Sequence, residues 1–264
     1  MCSRYSLTSP PEAVRSYFRH RQTEGFPPRY NIAPTQPVHI VHIGHTGERE
    51  LRLVRWGLLP PWVKDPQTFG LLTNARAETI AEKPSFKGAI RHKRCLVPAD
   101  GFYEWTGPKG DKRPHLIRPK GGGLMAFAGL HESWGGADGS ELETTAIITV
   151  AANATVAAIH DRMPAILKPS QFDAWLNCRA VDVTAAVSML APASDDLLEI
   201  RELSPTLNNS RNEGPELHAL AEKNVVKKRT FLTKPRHGCS GHRLRIIMFC
   251  AVCGVFTWDW LSRR

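Results

Sequence analysis

No stretch of the chain is apolar for long enough to span a bilayer. The longest such run, IIMFCAVCGVFTWDW at residues 246–260, falls short of the roughly twenty residues a membrane helix needs and carries Asp259 within it. The first fifteen positions lack the apolar core of a secretory leader, holding Ser, Arg, Pro and Glu instead, so a cytoplasmic location is expected. Cysteine is sparse. Cys2, Cys95 and Cys178 are too scattered for the disulfide framework of a small secreted domain, which argues for a reducing compartment. Acidic residues are nearly missing from 223–264, where ten Lys or Arg stand against Asp259 alone. The formal charge of +10 therefore belongs mostly to that segment. Before it, 25 basic residues face 24 acidic ones, and any nucleic-acid surface there must be a local patch.

What is present suffices for one sizeable core, since 42% of the 264 residues are hydrophobic. One domain over residues 1–222 is expected, followed by a basic then apolar tail at 223–264. Residues 11–22 begin with Pro and Glu and space Val14, Tyr17 and Phe18 at helical intervals, predicting an amphipathic helix. Segments 37–43, 51–58, 95–105, 114–118, 124–130 and 144–152 are short, rich in β-branched or aromatic residues and separated by Gly and Pro, so they predict strands. Short helices are predicted at 85–91, 169–178 and 181–190. Frequent strands with scattered helices indicate an α+β fold. The tail reads as a lineage-specific extension or as translation in a shifted frame. Its Cys250 and Cys253, with Cys239, His237 and His242, are numerous enough for zinc, but their spacing fits no finger and a non-metal role is expected.

Cys2 is the most informative position. A small side chain there permits removal of Met1, which would leave a cysteine with a free α-amine. That end carries two nucleophiles, an amine of reference pKa about 7.7–8.0 and a thiol near about 8.5. An aldehyde captures both: the amine forms a Schiff base, and the thiolate closes a five-membered thiazolidine. An abasic deoxyribose presents such an aldehyde. By itself, a cysteine at position 2 is more often an incidental or buried thiol, so the neighbours must decide.

Those neighbours are Thr73-Asn74-Ala75-Arg76-Ala77-Glu78, Pro98-Ala99-Asp100-Gly101-Phe102-Tyr103-Glu104-Trp105 and Ile159-His160-Asp161-Arg162-Met163-Pro164. With Met1-Cys2-Ser3-Arg4, Tyr30 to Thr35, Trp56 to Pro60, Ala128-Gly129-Leu130 and Gly214 to Leu217, the ordered set resembles the SRAP family of abasic-site-processing proteins from Cys2 to about Leu217. Ser3 departs from that family's usual glycine. The resemblance implies a single β-rich domain with a mixed, barrel-like sheet core and flanking short helices. It further implies catalytic roles for Cys2, Asn74, Glu104 and His160, single-stranded DNA containing abasic sites as the partner, and DNA damage and the SOS response as the setting. No cofactor, metal or membrane is expected, and a monomer that joins the nucleoid when bound to DNA.

Each residue also has a chemical reading of its own. An apolar setting would raise the pKa of Glu104 and let it act as general acid and base. His160 moves protons near neutrality, and the resemblance gives it the later steps that break or reverse the adduct. Asn74 suits orientation of the α-amine or a sugar hydroxyl. Arg4, Arg76 and Arg162 are candidate phosphate clamps. Trp62 and Trp105 could stack on bases or, especially for Trp105, pack in the core. Thr149 matches a family threonine beside the sugar-phosphate. The family's peptidase label is compatible with an autocatalytic release of Met1. Two other functions compete: an N-terminal-nucleophile hydrolase such as a glutamine amidotransferase, and a DNA-binding module without chemistry.

Overall fold

Backbone hydrogen bonding closes five strands into a ring. The computed structural model describes residues 2–22, 24–221, 247–250 and 254–257. Its elements run β1 (Tyr5–Leu7), α1 (Pro11–Phe18), β2 (Arg29–Ile32), β3 (Pro37–Ile43), β4 (Arg49–Trp56), β5 (Asn74–Arg76), α2 (Lys87–His92), β6 (Arg94–Ala99), β7 (Gly101–Thr106), β8 (Arg113–Pro119), β9 (Met125–Gly135), β10 (Glu141–Ala151), α3 (Ala154–Ala157), β11 (Arg162–Pro164), β12 (Ile166–Leu167), α4 (Phe172–Leu176), α5 (Val183–Ser188) and β13 (Leu198–Glu202). The sheet passes through β10, β4, β3, β6 and β9, and β9 pairs again with β10 to complete the barrel. Only the β10 pairings with β4 and β5 are parallel, so the sheet is mixed, as expected. A second sheet, ordered β13-β8-β7-β1-β2, carries the N-terminal strand.

Sequence chemistry explains where these elements stop. The predicted helix over 11–22 ends at Phe18 because Arg19 turns into the left-handed region at φ 55°. The predicted strand 95–105 is two strands in different sheets. At the break, the Asp100 carboxylate accepts hydrogen bonds from the amides and hydroxyls of both Thr8 and Ser9, which holds the chain in its crossing. The predicted strand over 51–58 stops at Trp56, ahead of Gly57 at φ +132°. In the barrel wall, a Cβ on Gly129 would lie 2.9 Å from the Cys95 sulfur, so the β6–β9 approach there requires glycine. The remaining expected strands and helices occur with ends shifted by a few residues.

The barrel and its helices share one core that includes Trp56, Phe127, Trp175, Phe18 and Phe172. Tyr5 of β1 packs edge-on against Trp56 and Phe127, with ring centroids 5.3 and 6.0 Å apart. Each such buried side chain contributes about 1.5–3 kcal/mol. A smaller cluster of Tyr103, Leu116, Leu203, Leu207 and Leu217 lies under the C-terminal segment of this unit. Contacts divide the chain into Met1–Lys223 and Asn224–Arg264. The second unit contains an antiparallel pair, Ile247–Cys250 with Gly254–Thr257. The basic stretch of the tail and its candidate ligands His237, Cys239, His242 and Cys253 lie outside the described residues. Among those described, no helix is long and apolar enough to cross a membrane.

Candidate active site

Pairing of β7 with β1 brings the residues just before β1 alongside β7. Tyr5 lies opposite Phe102, and the Tyr103 amide donates to the Arg4 carbonyl at 3.0 Å. Residues 2–4 thus lie beside Glu104. Cys2 is fully buried, and its thiol points at the Arg4 carbonyl 3.8 Å away. Burial pushes the thiol pKa well above its ordinary value, and the nearby Glu104 charge pushes it further. From β5, the Asn74 amide donates to the Cys2 carbonyl at 2.8 Å, which fixes the backbone of the candidate nucleophile. The other end of that amide, Oδ1, is buried and accepts no hydrogen bond among the described residues.

Glu104 is only 4% exposed. Burial raises its pKa to about 7, against the pull of the positive amino terminus and with help from Asp161. Sequence reasoning from the apolar Phe-Tyr-Glu-Trp run anticipated this direction. The His160 Nε2 stands 3.9 Å from the Glu104 carboxylate. His160 Nδ1 accepts from the Arg162 amide at 2.9 Å while the Asp161 carboxylate lies 3.0 Å from the same nitrogen. These two neighbours favour opposite protonation states, since the amide needs a lone pair and the carboxylate needs a proton. Burial, seconded by the amino terminus, lowers the His160 pKa despite Asp161. The neutral ring then keeps its Nδ1 lone pair for the amide and turns an Nε2 proton toward Glu104.

The same strand register assembles three of the candidate DNA contacts. Thr149 of β10 lies opposite Arg76 on β5 and Pro164 on β11, two residues from Arg162. Arg76 is exposed, whereas Thr149 is fully buried and its carbonyl accepts from the Arg162 guanidinium at 2.7 Å. Arg162 also makes a two-pronged pair with Glu78 at 2.7 and 2.9 Å, a partner that sequence reasoning did not foresee. Arg4 donates to Asn31 Oδ1 at 2.7 Å and to the Leu207 carbonyl at 3.3 Å, and it lies over the half-buried Trp105 ring, 5.4 Å from its centroid. Trp62 is 56% exposed and packs edge-on against Phe69. Among the described residues, no hydrogen bond or ring contact links it to the Cys2 cluster. Ser3 is exposed, and its φ is not in the left-handed region, so its conformation does not demand the family's glycine.

Residues 1–210 match the family model described as SOS response associated peptidase (SRAP). A Bacillus subtilis protein named abasic site processing protein YoqW is 41% identical over 222 residues, covering 82% of this chain and 98% of that one. The abasic site processing protein HMCES of Xenopus tropicalis is 32% identical, covering 83% of this chain and 78% of its own length. Among solved structures, a Bacteroides thetaiotaomicron protein superposes with a TM-score of 0.73 at 28% identity, covering 84% of this chain and all of that one.

Proposed function

The chain belongs to the SOS response-associated peptidase family, and from that premise we propose that, once Met1 is removed, Cys2 bonds covalently to abasic sites in single-stranded DNA and shields them. The observation that carries this reading is the buried carboxyl of Glu104, with a pKa about 7, beside both the Cys2 thiol and the His160 ring. A carboxyl half-protonated at neutrality serves as acid in one step and base in the next.

The chemistry balances without an oxidant. The Cys2 α-amine attacks C1′ of the ring-opened sugar, and Glu104 gives a proton to the departing hydroxyl as the carbinolamine loses water to become a Schiff base. The thiol then adds across that C=N bond. Its sulfur bonds to C1′, its proton passes to Glu104 and the nitrogen regains one, leaving a thiazolidine and one water. Burial favours the protonated thiol, so a base such as Glu104 is needed to take its proton as the C–S bond forms. Asn74 supports the amine's placement: with the Cys2 carbonyl held by Nδ2, its unused Oδ1 is available to an α-amine N–H. Release of Met1 is the one peptide cleavage required.

Arg76, exposed beside Thr149, is assigned to phosphate. Arg162 must exchange Glu78 for phosphate to do the same. Trp105 and Trp62 are assigned to flanking bases. Intact-protein mass spectrometry after mixing with a single-stranded oligonucleotide carrying one abasic site tests the proposal. The expected species is the protein without Met1 plus the strand minus one water, surviving denaturation. Retained Met1, or a complex that dissociates in detergent, overturns it.

A further inference from the structure

Two of the groups assigned to DNA are held by one segment that comes late in the chain. Between β13 and residue 218 the chain forms two short 3-10 turns, Pro205–Asn208 and Pro215–His218, anchored by buried Leu203, Leu207 and Leu217. Asn208 uses both ends of its amide. Its Oδ1 accepts from the Trp105 indole N–H at 2.8 Å, and its Nδ2 donates to the Lys112 carbonyl at 2.8 Å. The neighbouring Leu207 carbonyl accepts from Arg4. Asn31, fully buried, accepts from Arg4 and donates to the carbonyls of Asn209 and Asn212, both at 3.0 Å. Ser3, Arg4, Trp105, Gly110, Lys112 and Asn208 together line an open cavity of about 490 Å³.

We propose that residues 204–212 form a positioning strap in which Asn208 sets the plane of the Trp105 ring, with Arg4 held over it, to receive a nucleobase flanking the abasic sugar. An indole ring with a free χ2 presents its face to a base only part of the time. An amide clamped between the indole N–H and the opposing hairpin carbonyl removes that freedom before the strand arrives. Asn208 touches no reacting atom. It acts through Trp105, and its effect falls on strand capture rather than on bond formation at Cys2. The inference rests on the DNA reading above for its ligand.

The test uses the full chain and a single-stranded oligonucleotide with one abasic site, with the adduct rate followed against strand concentration. Asn208→Ala should raise the half-saturating concentration about tenfold, within what one stacked base contributes. Its rate at saturation should stay within about twofold. Asn208→Gln, which keeps both an acceptor for the indole N–H and a donor for the Lys112 carbonyl, should recover part of the loss. In a Trp105→Phe background, which removes that N–H but keeps a ring, Asn208→Ala should have little further effect. A lower saturating rate with unchanged half-saturation overturns the strap, as does an undiminished effect in the Trp105→Phe background. Should the unaltered protein form no adduct, the covalent function fails by itself. The strap is then judged by fluorescence anisotropy with an intact strand, where equal affinity of Asn208→Ala and the unaltered chain overturns it.

Discussion

At the scale of single residues, the site depends on burying a carboxyl whose charged form is disfavoured. Glu104→Ala should slow adduct formation by roughly 10²–10⁴, the usual effect of losing a general acid and base, while binding of an unreactive abasic analogue changes little. A time course with both substrates checks this. Burial also links Glu104 to stability. Its folded pKa, about 7, lies above the ordinary 4.5, so the folded state holds the proton more tightly than the unfolded chain. The associated stability is fully present below about pH 4.5 and is lost as pH rises through 7. Glu104→Gln should therefore raise the melting temperature at pH 8 relative to the parent and leave it nearly unchanged at pH 4.5. A larger gain at the acidic end would contradict a raised pKa. His160→Ala should act on later proton transfers, changing adduct release more than first formation, and the two rates measured at pH 6 and 8 distinguish the steps.

At the scale of elements, β6 is tied to the helical side of the barrel by one buried cation. Arg94 donates to the carbonyls of Trp175, Ile90, Asn177 and Val181, and lies over the Trp175 ring. Arg94→Leu would leave these acceptors without their donor, at about 1–3 kcal/mol for each that stays dry. Urea unfolding should show a loss of about 3 kcal/mol or more, with an unchanged adduct rate per folded molecule. Long elements were legible in the sequence because alternation persists over them: β3, β4, β9 and β10 lie close to their predicted places. Strands of three to five residues such as β1, β5 and β11 were not, since so few residues carry no period. Yet β1, β5 and β11 place Cys2, Asn74 and Arg162. The candidate chemistry was therefore legible through motif resemblance, whereas the partners Asn31, Glu78 and Asn208 required three-dimensional pairing. Asn208 and Asn209 look in sequence like ordinary turn asparagines.

At the scale of the whole molecule, charge and chemistry occupy different parts of the chain. Residues 223–264 carry a surplus of nine positive charges, while the candidate catalytic and DNA-contact residues read from the sequence all precede 163. Truncation after Ala221 should leave adduct formation intact and weaken non-specific binding, with a shallower dependence on salt because fewer phosphates are neutralised. Titration of affinity against salt concentration measures this, and loss of the adduct in a still-folded truncated chain would refute the division. The strap has a further consequence for how the protein is made. Arg4 and the Leu207 carbonyl that helps to hold it are 203 positions apart in sequence. At roughly 5–20 residues per second, a ribosome needs about ten to forty seconds between them. During that interval the N-terminal residues emerge without the segment that holds Arg4 and Trp105. The hydrogen bonds that hold Arg4 and Trp105 in place are therefore completed only near the end of translation, so the arrangement proposed to receive the strand is a product of the finished fold and not of its N-terminal part.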